Sequence, residues 1–255
     1  MQPVLVVDVG NTSTSLALYR NRRVWRHTPI HGGVRTRAEA LRWVRRLAGR
    51  GGVGDAVYSS VVPRADKVWV PALREALGKR PLVLTHRLNV GVAIRYPRPR
   101  TIGADRLANA CAAVALYGAP VIVADFGTAV TFDVVTRDRA YVGGVIAPGL
   151  PLMVDYLAER TALLPRIALK GACPRVGRST EGAMRIGARI GYSGMVREIV
   201  AYLTERLGEP SVRLCATGGF ARWALADCGL PFAFNQDLTL YGLGLIHDLN
   251  AEKRA

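Results

Sequence analysis

The chain has 255 residues, of which 50% are apolar and 21% are charged, a composition typical of a globular protein with one large domain or two lobes. It contains no apolar run long enough to cross a bilayer. Its first apolar run ends at Asp8 with no basic segment before it, unlike a signal peptide. The scattered cysteines form no C-x-x-C pair and favour a reduced compartment, so we expect a cytoplasmic protein.

The net charge of +16 comes mainly from arginine. A charge of this size occurs in nucleic-acid-binding proteins, but here the arginines are spread along the chain, with little aromatic interleaving and no nucleic-acid motif. A positive field also favours anionic ligands such as ATP. Nucleic-acid binding is therefore the less favoured interpretation.

The first predicted element is a buried strand that runs into a polar turn within Val4–Thr14. Asp8 ends the apolar run, and Gly10 lets the backbone approach an anion closely. Asn11 and Thr12 add donors for a phosphate, while Asp8 suits a Mg²⁺ ion bound between the protein and the phosphate. A strand that ends in an ordinary Asx-type turn is the alternative for this segment taken alone.

The next segment continues the first lobe with alternating strands and helices. Thr36 is a predicted N-cap, with Glu39 at the capping-box position, for a helix over 38–48. The other predicted elements are strands over 24–28, 55–62 and 81–84 and a helix over 65–77, whose inward side chains are Trp69, Leu73, Ala76 and Leu77.

A stiff segment rich in proline and arginine, Arg95–Arg100, precedes a helix predicted over Leu107–Tyr117. Asp105 lies just before this helix, where it looks like an N-cap. The residues by themselves favour that capping role.

The opening pattern returns in Val121–Asp133, where an apolar strand runs into Asp125, followed by Gly127 and Thr128. Strands over 129–135 and 140–146 follow, as they do after the first turn. A repeat of this length indicates a duplicated half-domain. We therefore predict two similar α/β lobes, residues 1–118 and 119–255, with a cleft between them.

The remaining chain carries several glycines that require close backbone approach. A long helix is predicted after Thr180, over 181–207, with four glycines in its first half that each cost about 1 kcal/mol of helix stability relative to alanine. Gly218-Gly219 follows a strand over 212–217 and fits either a nucleotide-side turn or a plain tight turn. Helices over 152–161, 221–228 and 238–249 and a strand over 232–234 complete the prediction.

Five segments carry a resemblance to a known family, in their order and spacing. They are Asp8-Val9-Gly10-Asn11-Thr12, Gly103-Ala104-Asp105-Arg106, Asp125–Asp133, Gly143–Gly149 and Thr217-Gly218-Gly219. On these segments the chain resembles type III pantothenate kinase over nearly its whole length. The resemblance implies an α/β fold of two duplicated ribonuclease-H-like lobes, the actin-like ATPase fold, with an interlobe nucleotide cleft.

The same resemblance implies ATP-dependent phosphorylation of pantothenate to 4′-phosphopantothenate, the first step of coenzyme A biosynthesis, by a cytoplasmic homodimer that uses Mg²⁺ and K⁺ or NH₄⁺. The implied ATP-binding residues are Asp8, Val9, Gly10, Asn11, Thr12, Ser13, Thr14, Ser15 and Thr128. The implied pantothenate-binding residues are Tyr96, Gly103, Ala104, Asp105, Arg106 and Thr180.

The resemblance also implies specific roles for three carboxylates. Asp105 becomes the general base that accepts the hydroxyl proton of pantothenate, Asp125 holds the monovalent cation, and Asp8 organises Mg²⁺ through the phosphates. An accessory transcription factor of the same fold and a sugar kinase or acyl-phosphate ATPase of the superfamily are the alternative functions.

Overall fold

The computed structural model describes residues 2–49, 51–169, 173–209 and 211–251. The chain divides into two compact units. The first comprises Met1–Gly118, Arg139–Tyr141 and Asp237–Ala255, and the second comprises Ala119–Asp138 and Val142–Gln236.

The first unit is built on a five-stranded sheet with the order β3-β2-β1-β4-β5. Its strands are β1 (Val4–Val9), β2 (Ser13–Arg20), β3 (Arg23–His31), β4 (Asp55–Ser60) and β5 (Leu82–Val83). The first three strands pair antiparallel, and β4 and β5 extend the sheet in parallel. A further strand, β6 (Ala93–Ile94), pairs in parallel with residues 140–141.

Helices cover both faces of this sheet. Leu5, Val7 and Val9 share a buried cluster with α1 (Arg37–Ala48) and α2 (Pro63–Leu77). Because side chains alternate along a strand, Asp8 points to the opposite face, where α7 (Leu238–Asn250) packs against β1, β2 and α3 (Ala104–Tyr117).

The second unit repeats the opening of the first. Its sheet has the order β11-β10-β7-β8-β9, with strands β7 (Val121–Phe126), β8 (Ala129–Val135), β9 (Ala140–Pro148), β10 (Arg213–Thr217) and β11 (Ala233–Phe234). Its helices are α4 (Leu150–Arg160), α5 (Thr180–Leu207) and α6 (Ala221–Leu225). Phe126, Phe132 and Tyr192 are fully buried in its core. The repeated strand–turn–strand–hairpin–strand order confirms the predicted duplication.

The units depart from the predicted lobes at the C-terminal end. Residues 237–255 were expected in the second lobe but cluster with the first unit. The reason is close helix packing, because a Cβ atom at Gly242 would lie 2.0 Å from the carbonyl oxygen of Ala108 in α3. Residues 139–141 likewise belong to the first unit, through their pairing with β6.

Two local predictions also need correction. Ala76 is exposed rather than inward. The N-cap of α3 is Gly103 rather than Asp105, and α5 begins at Thr180, one residue earlier than expected, after its N-cap Ser179. The capping box of α1 is confirmed, since Thr36 accepts from the Glu39 amide and Glu39 accepts from the Thr36 amide. Among the described residues, no helix is both long and apolar enough to span a membrane.

Candidate active site

The turn between β1 and β2 presents polar groups at the end of two buried strands. The Gly10 amide donates to the Ser13 carbonyl at 2.9 Å, which closes the turn. Asn11 and Thr12 are exposed at its tip, whereas the side chains of Val9 and Thr14 are buried. The predicted ATP segment can therefore offer side-chain donors at its tip but only backbone groups at Val9.

Asp8 and Ser15 are directly opposite each other in the antiparallel β1–β2 pair, so their side chains share one face of the sheet. Both are partly exposed. A carboxylate and a hydroxyl thus stand side by side just behind the polar turn. One carboxylate completed by water and phosphate oxygens is the environment that Mg²⁺ prefers.

Asp105 occupies the first turn of α3, and its Oδ1 accepts the Arg106 amide at 2.8 Å. Burial raises the pKa of this carboxyl above its usual value, although the Arg106 amide and the guanidinium charge act in the opposite direction. Gly103 makes the arrangement possible, because a Cβ atom there would lie 2.4 Å from Oδ1 of Asp105. A carboxylate with a raised pKa is suited to accepting a proton.

Tyr141 brings together two of the residues predicted to bind pantothenate. The Arg106 guanidinium lies 6.0 Å from the centre of the Tyr141 ring, and the Tyr96 ring meets the same ring edge-on at 6.3 Å. Tyr141 is fully buried. Nothing in the local pattern around residue 141 distinguishes it from an ordinary core tyrosine, so it was not among the predicted site residues.

An open cleft of about 670 Å³ adjoins the start of α3 in the first unit. Gly103 and Ala104 form part of its wall. Arg87, Arg100, His86 and the carboxylate of Asp66 also line it. The first turn of α3, which carries Asp105, therefore borders a concave, polar surface with two guanidinium groups that can pair with an anion.

In the second unit, glycines hold the turn after Asp125 tightly. The Gly149 amide donates to the Thr128 carbonyl at 3.1 Å, and a Cβ atom at Gly149 would lie 2.2 Å from that oxygen. Gly218 has a φ of +96°, and a Cβ atom there would lie 2.6 Å from the backbone of Phe126. Gly149 and Gly218, one from each of the two later motifs, thus allow close packing around the Asp125–Thr128 turn.

Thr180 is exposed at the first position of α5, and Ser179 accepts the Gly182 amide at 3.1 Å in its place. No cluster of three or more histidine, cysteine, aspartate or glutamate residues suited to a metal is present in the described part of the chain. A cation at Asp8 or Asp125 would then take its other ligands from groups such as hydroxyls, backbone carbonyls, water or the nucleotide.

Comparison with known proteins identifies the family. The profile of type III pantothenate kinase matches residues 4–202. The type III pantothenate kinase of Acidiphilium cryptum (strain JF-5) is 41% identical over 249 residues, covering 95% of this chain and 93% of the relative. The chain belongs to the type III pantothenate kinase family.

Two solved structures show how widely the fold of this family is shared. A conserved Campylobacter jejuni protein, whose description names the Baf family of transcriptional activators, has a TM-score of 0.63 at 16% identity and covers 97% of this chain and 99% of its own. The ROK hexokinase of Thermus thermophilus has a TM-score of 0.51 at 13% identity, with 96% and 98% covered. The α/β architecture is therefore the duplicated actin-like fold of sugar kinases, as predicted for type III pantothenate kinases.

Proposed function

We propose that this chain transfers the γ-phosphoryl group of ATP to the hydroxyl of pantothenate and forms 4′-phosphopantothenate in the first step of coenzyme A biosynthesis. Its membership of the type III pantothenate kinase family carries the proposal. The buried carboxylate at the start of α3 supports it, because phosphoryl transfer to an alcohol needs a group that accepts the hydroxyl proton.

Asp105 is the general base of this proposal. Its raised pKa makes it a better proton acceptor than an exposed aspartate, and Gly103 leaves room for its carboxylate. Arg106, held beside Tyr141, pairs with the substrate carboxylate or with charge that develops on the phosphoryl group. The pantothenate-binding residues are Tyr96, Gly103, Ala104, Asp105, Arg106 and Thr180.

The polar turn after β1 binds the triphosphate. Asp8 fits Mg²⁺ as a single carboxylate whose remaining ligands are water and phosphate oxygens, and Asn11 and Thr12 are exposed to donate to the phosphates. The full set for ATP is Asp8, Val9, Gly10, Asn11, Thr12, Ser13, Thr14, Ser15 and Thr128. Asp125 holds K⁺ or NH₄⁺ beside the glycine-packed turn.

The proposed enzyme is a cytoplasmic homodimer. An exposed surface of α5 supports the dimer, since Gly187 and Gly191 are exposed beside Ile190, which is 63% exposed. Small residues allow a second backbone to approach closely, and the isoleucine offers apolar area to bury. Sedimentation of the purified protein, with Ile190→Glu as the disrupting variant, tests this assembly.

The activity is tested by ADP release from ATP, Mg²⁺ and K⁺, with and without pantothenate. We expect pantothenate, and not glucose or acetate, to stimulate release, and omission of K⁺ to lower it. Asp105→Asn should abolish turnover, while Asp138→Asn, at an exposed turn position, should leave it unchanged. Folded wild-type protein without pantothenate-dependent release would refute the function, and an active Asp105→Asn variant would remove Asp105 as the base.

A further inference from the structure

A serine, a histidine and an aspartate form a connected chain of side chains beside Asp8. His27 Nδ1 lies 2.7 Å from Oδ1 of Asp237, and His27 Nε2 lies 3.3 Å from Oγ of Ser15. All three residues belong to the first unit. His27 and Asp237 have no role in the proposed reaction so far, although their contact joins residues 210 positions apart.

An irregularity in the sheet gives His27 its place. Thr28 pairs with Leu16 and Trp25 pairs with Leu18, so Arg26 and His27 together stand opposite Ala17 alone. Arg26 has a φ of +58°, a conformation that residues other than glycine rarely adopt. This is a β-bulge, a feature that redirects side chains and is frequent beside active sites.

The direction of each hydrogen bond follows once His27 is taken as neutral. An ionised Asp237 carboxylate only accepts, so Nδ1 of the neutral ring carries the proton. Nε2 is then an acceptor, and the Ser15 hydroxyl donates to it. The lone pairs of Ser15 Oγ remain available to a cation or to metal-bound water, on the face that Ser15 shares with Asp8.

We propose that His27 is a positioning residue that holds Ser15 as an oxygen acceptor for the hydrated Mg²⁺ of MgATP, with Asp237 fixing the tautomer of His27. The inference rests on the proposed binding of MgATP beside Asp8. A hydroxyl engaged only with a phosphate would need its proton for that contact, whereas here the proton is directed to the histidine. The Ser15–His27–Asp237 chain thus supplements the single carboxylate at the metal.

The test replaces His27 with glutamine or with asparagine, whose side-chain amides can stand in for Nε2 and Nδ1 of the imidazole, respectively. His27→Gln can place an acceptor oxygen near the position of Nε2, whereas His27→Asn retains only a group near Nδ1. The measured quantity is the Mg²⁺ concentration for half-maximal ADP release at saturating ATP. We expect an increase of about tenfold for His27→Asn and Ser15→Ala, the effect of one lost hydrogen bond, and a smaller increase for His27→Gln.

A double variant and a matched control complete the design. Ser15→Ala combined with His27→Asn should be no worse than Ser15→Ala alone, because both changes remove the same contact. His31→Gln, an exposed position of the same strand, should leave the Mg²⁺ dependence unchanged. The KM for pantothenate should not change in any of these variants. Equal Mg²⁺ dependence in wild type and His27→Asn, or additive effects in the double variant, would overturn the inference.

Failure of this inference differs from failure of the proposed function. If wild type is active and the His27 variants keep its Mg²⁺ dependence, only the positioning role is wrong. If wild type releases no ADP with pantothenate, the kinase proposal fails, and the increase in Tm on adding MgATP then serves as the readout. If MgATP raises the Tm less for His27→Asn than for His27→Gln, the positioning role is still supported. Equal increases in Tm would contradict it.

Discussion

Gly103→Ala tests how much the position of the Asp105 carboxylate matters, because the variant moves this carboxylate without removing it. Gly103 has a φ of −56° and a ψ of 138°, which alanine adopts without strain. The added methyl group would lie 2.4 Å from Oδ1 of Asp105, while its next contact, the Val61 side chain, is at 3.5 Å. Because the methyl group meets mainly the end of one rotatable side chain, the carboxylate must move and the backbone need not.

The expected loss of rate follows from the 2.4 Å distance between the added methyl group and Oδ1 of Asp105. Restoring a contact near the optimal separation of about 3.5 Å moves the carboxylate by about 1 Å. A displacement of about 1 Å at a reacting group can lower the rate roughly 100-fold, or about 2.7 kcal/mol of activation free energy. Alanine is a poorer N-cap than glycine, but it also lowers the entropy of the unfolded chain. The free energy of unfolding should therefore change by less than about 1 kcal/mol.

Pantothenate-dependent ADP release and thermal unfolding are measured on the same preparation. We expect kcat to fall roughly 100-fold with a Tm within about 4 °C of wild type. Gly51→Ala is the control, since no atom lies within 4 Å of a Cβ atom at that position. An unchanged kcat would show that the carboxylate position does not limit turnover. A large loss of Tm would show that the backbone, rather than the carboxylate, gives way.

Three further predictions concern titration and stability. Because the folded pKa of Asp105 is raised, the protonated carboxyl stabilises the fold at low pH, and this contribution is lost as the pH rises through the folded pKa. Asp105→Asn should therefore raise the Tm at pH 7. Wild-type kcat/KM should fall on acidification at a higher pH than it would with an ordinary aspartate as the base. Gly244→Ala, whose Cβ atom would lie 2.1 Å from the buried Tyr19 ring, should cost about 3 kcal/mol or more in denaturant unfolding. Thr36→Ala should cost about 1 kcal/mol by removing the capping box with Glu39. An unchanged Tm in the first case, or unfolding midpoints equal to wild type in the other two, would contradict these expectations.

Local features were readable from the sequence because they depend on neighbours along the chain. The capping box joins residues three positions apart, and the two buried strands that end in an aspartate and a glycine carry their own periodicity. The repeat of that pattern near Asp8 and Asp125 was enough to predict the duplicated fold. The N-cap of α3 was predicted two residues too late, at Asp105, because Gly103 offers no side chain as a signal.

Long-range features of the site were not readable in the same way. Tyr141 meets Tyr96 and Arg106 only after β9 pairs with β6, and no spacing along the chain encodes that pairing. The raised pKa of Asp105 is equally a tertiary effect, because burial outweighs the favourable position of a carboxylate at a helix N-terminus.

The sequence by itself determined the family, the order of the strands and helices apart from the two-residue strand β6, and the identity of the polar residues in the two turns. These properties follow from residue type and short-range spacing. Only the tertiary structure decided that α7 belongs with the first unit, that Gly103 makes room for the Asp105 carboxylate, and that His27 joins Ser15 to Asp237. The physical reason is that packing and hydrogen bonding between distant segments depend on how close their atoms come in space. The separation of two residues along the chain does not give that distance.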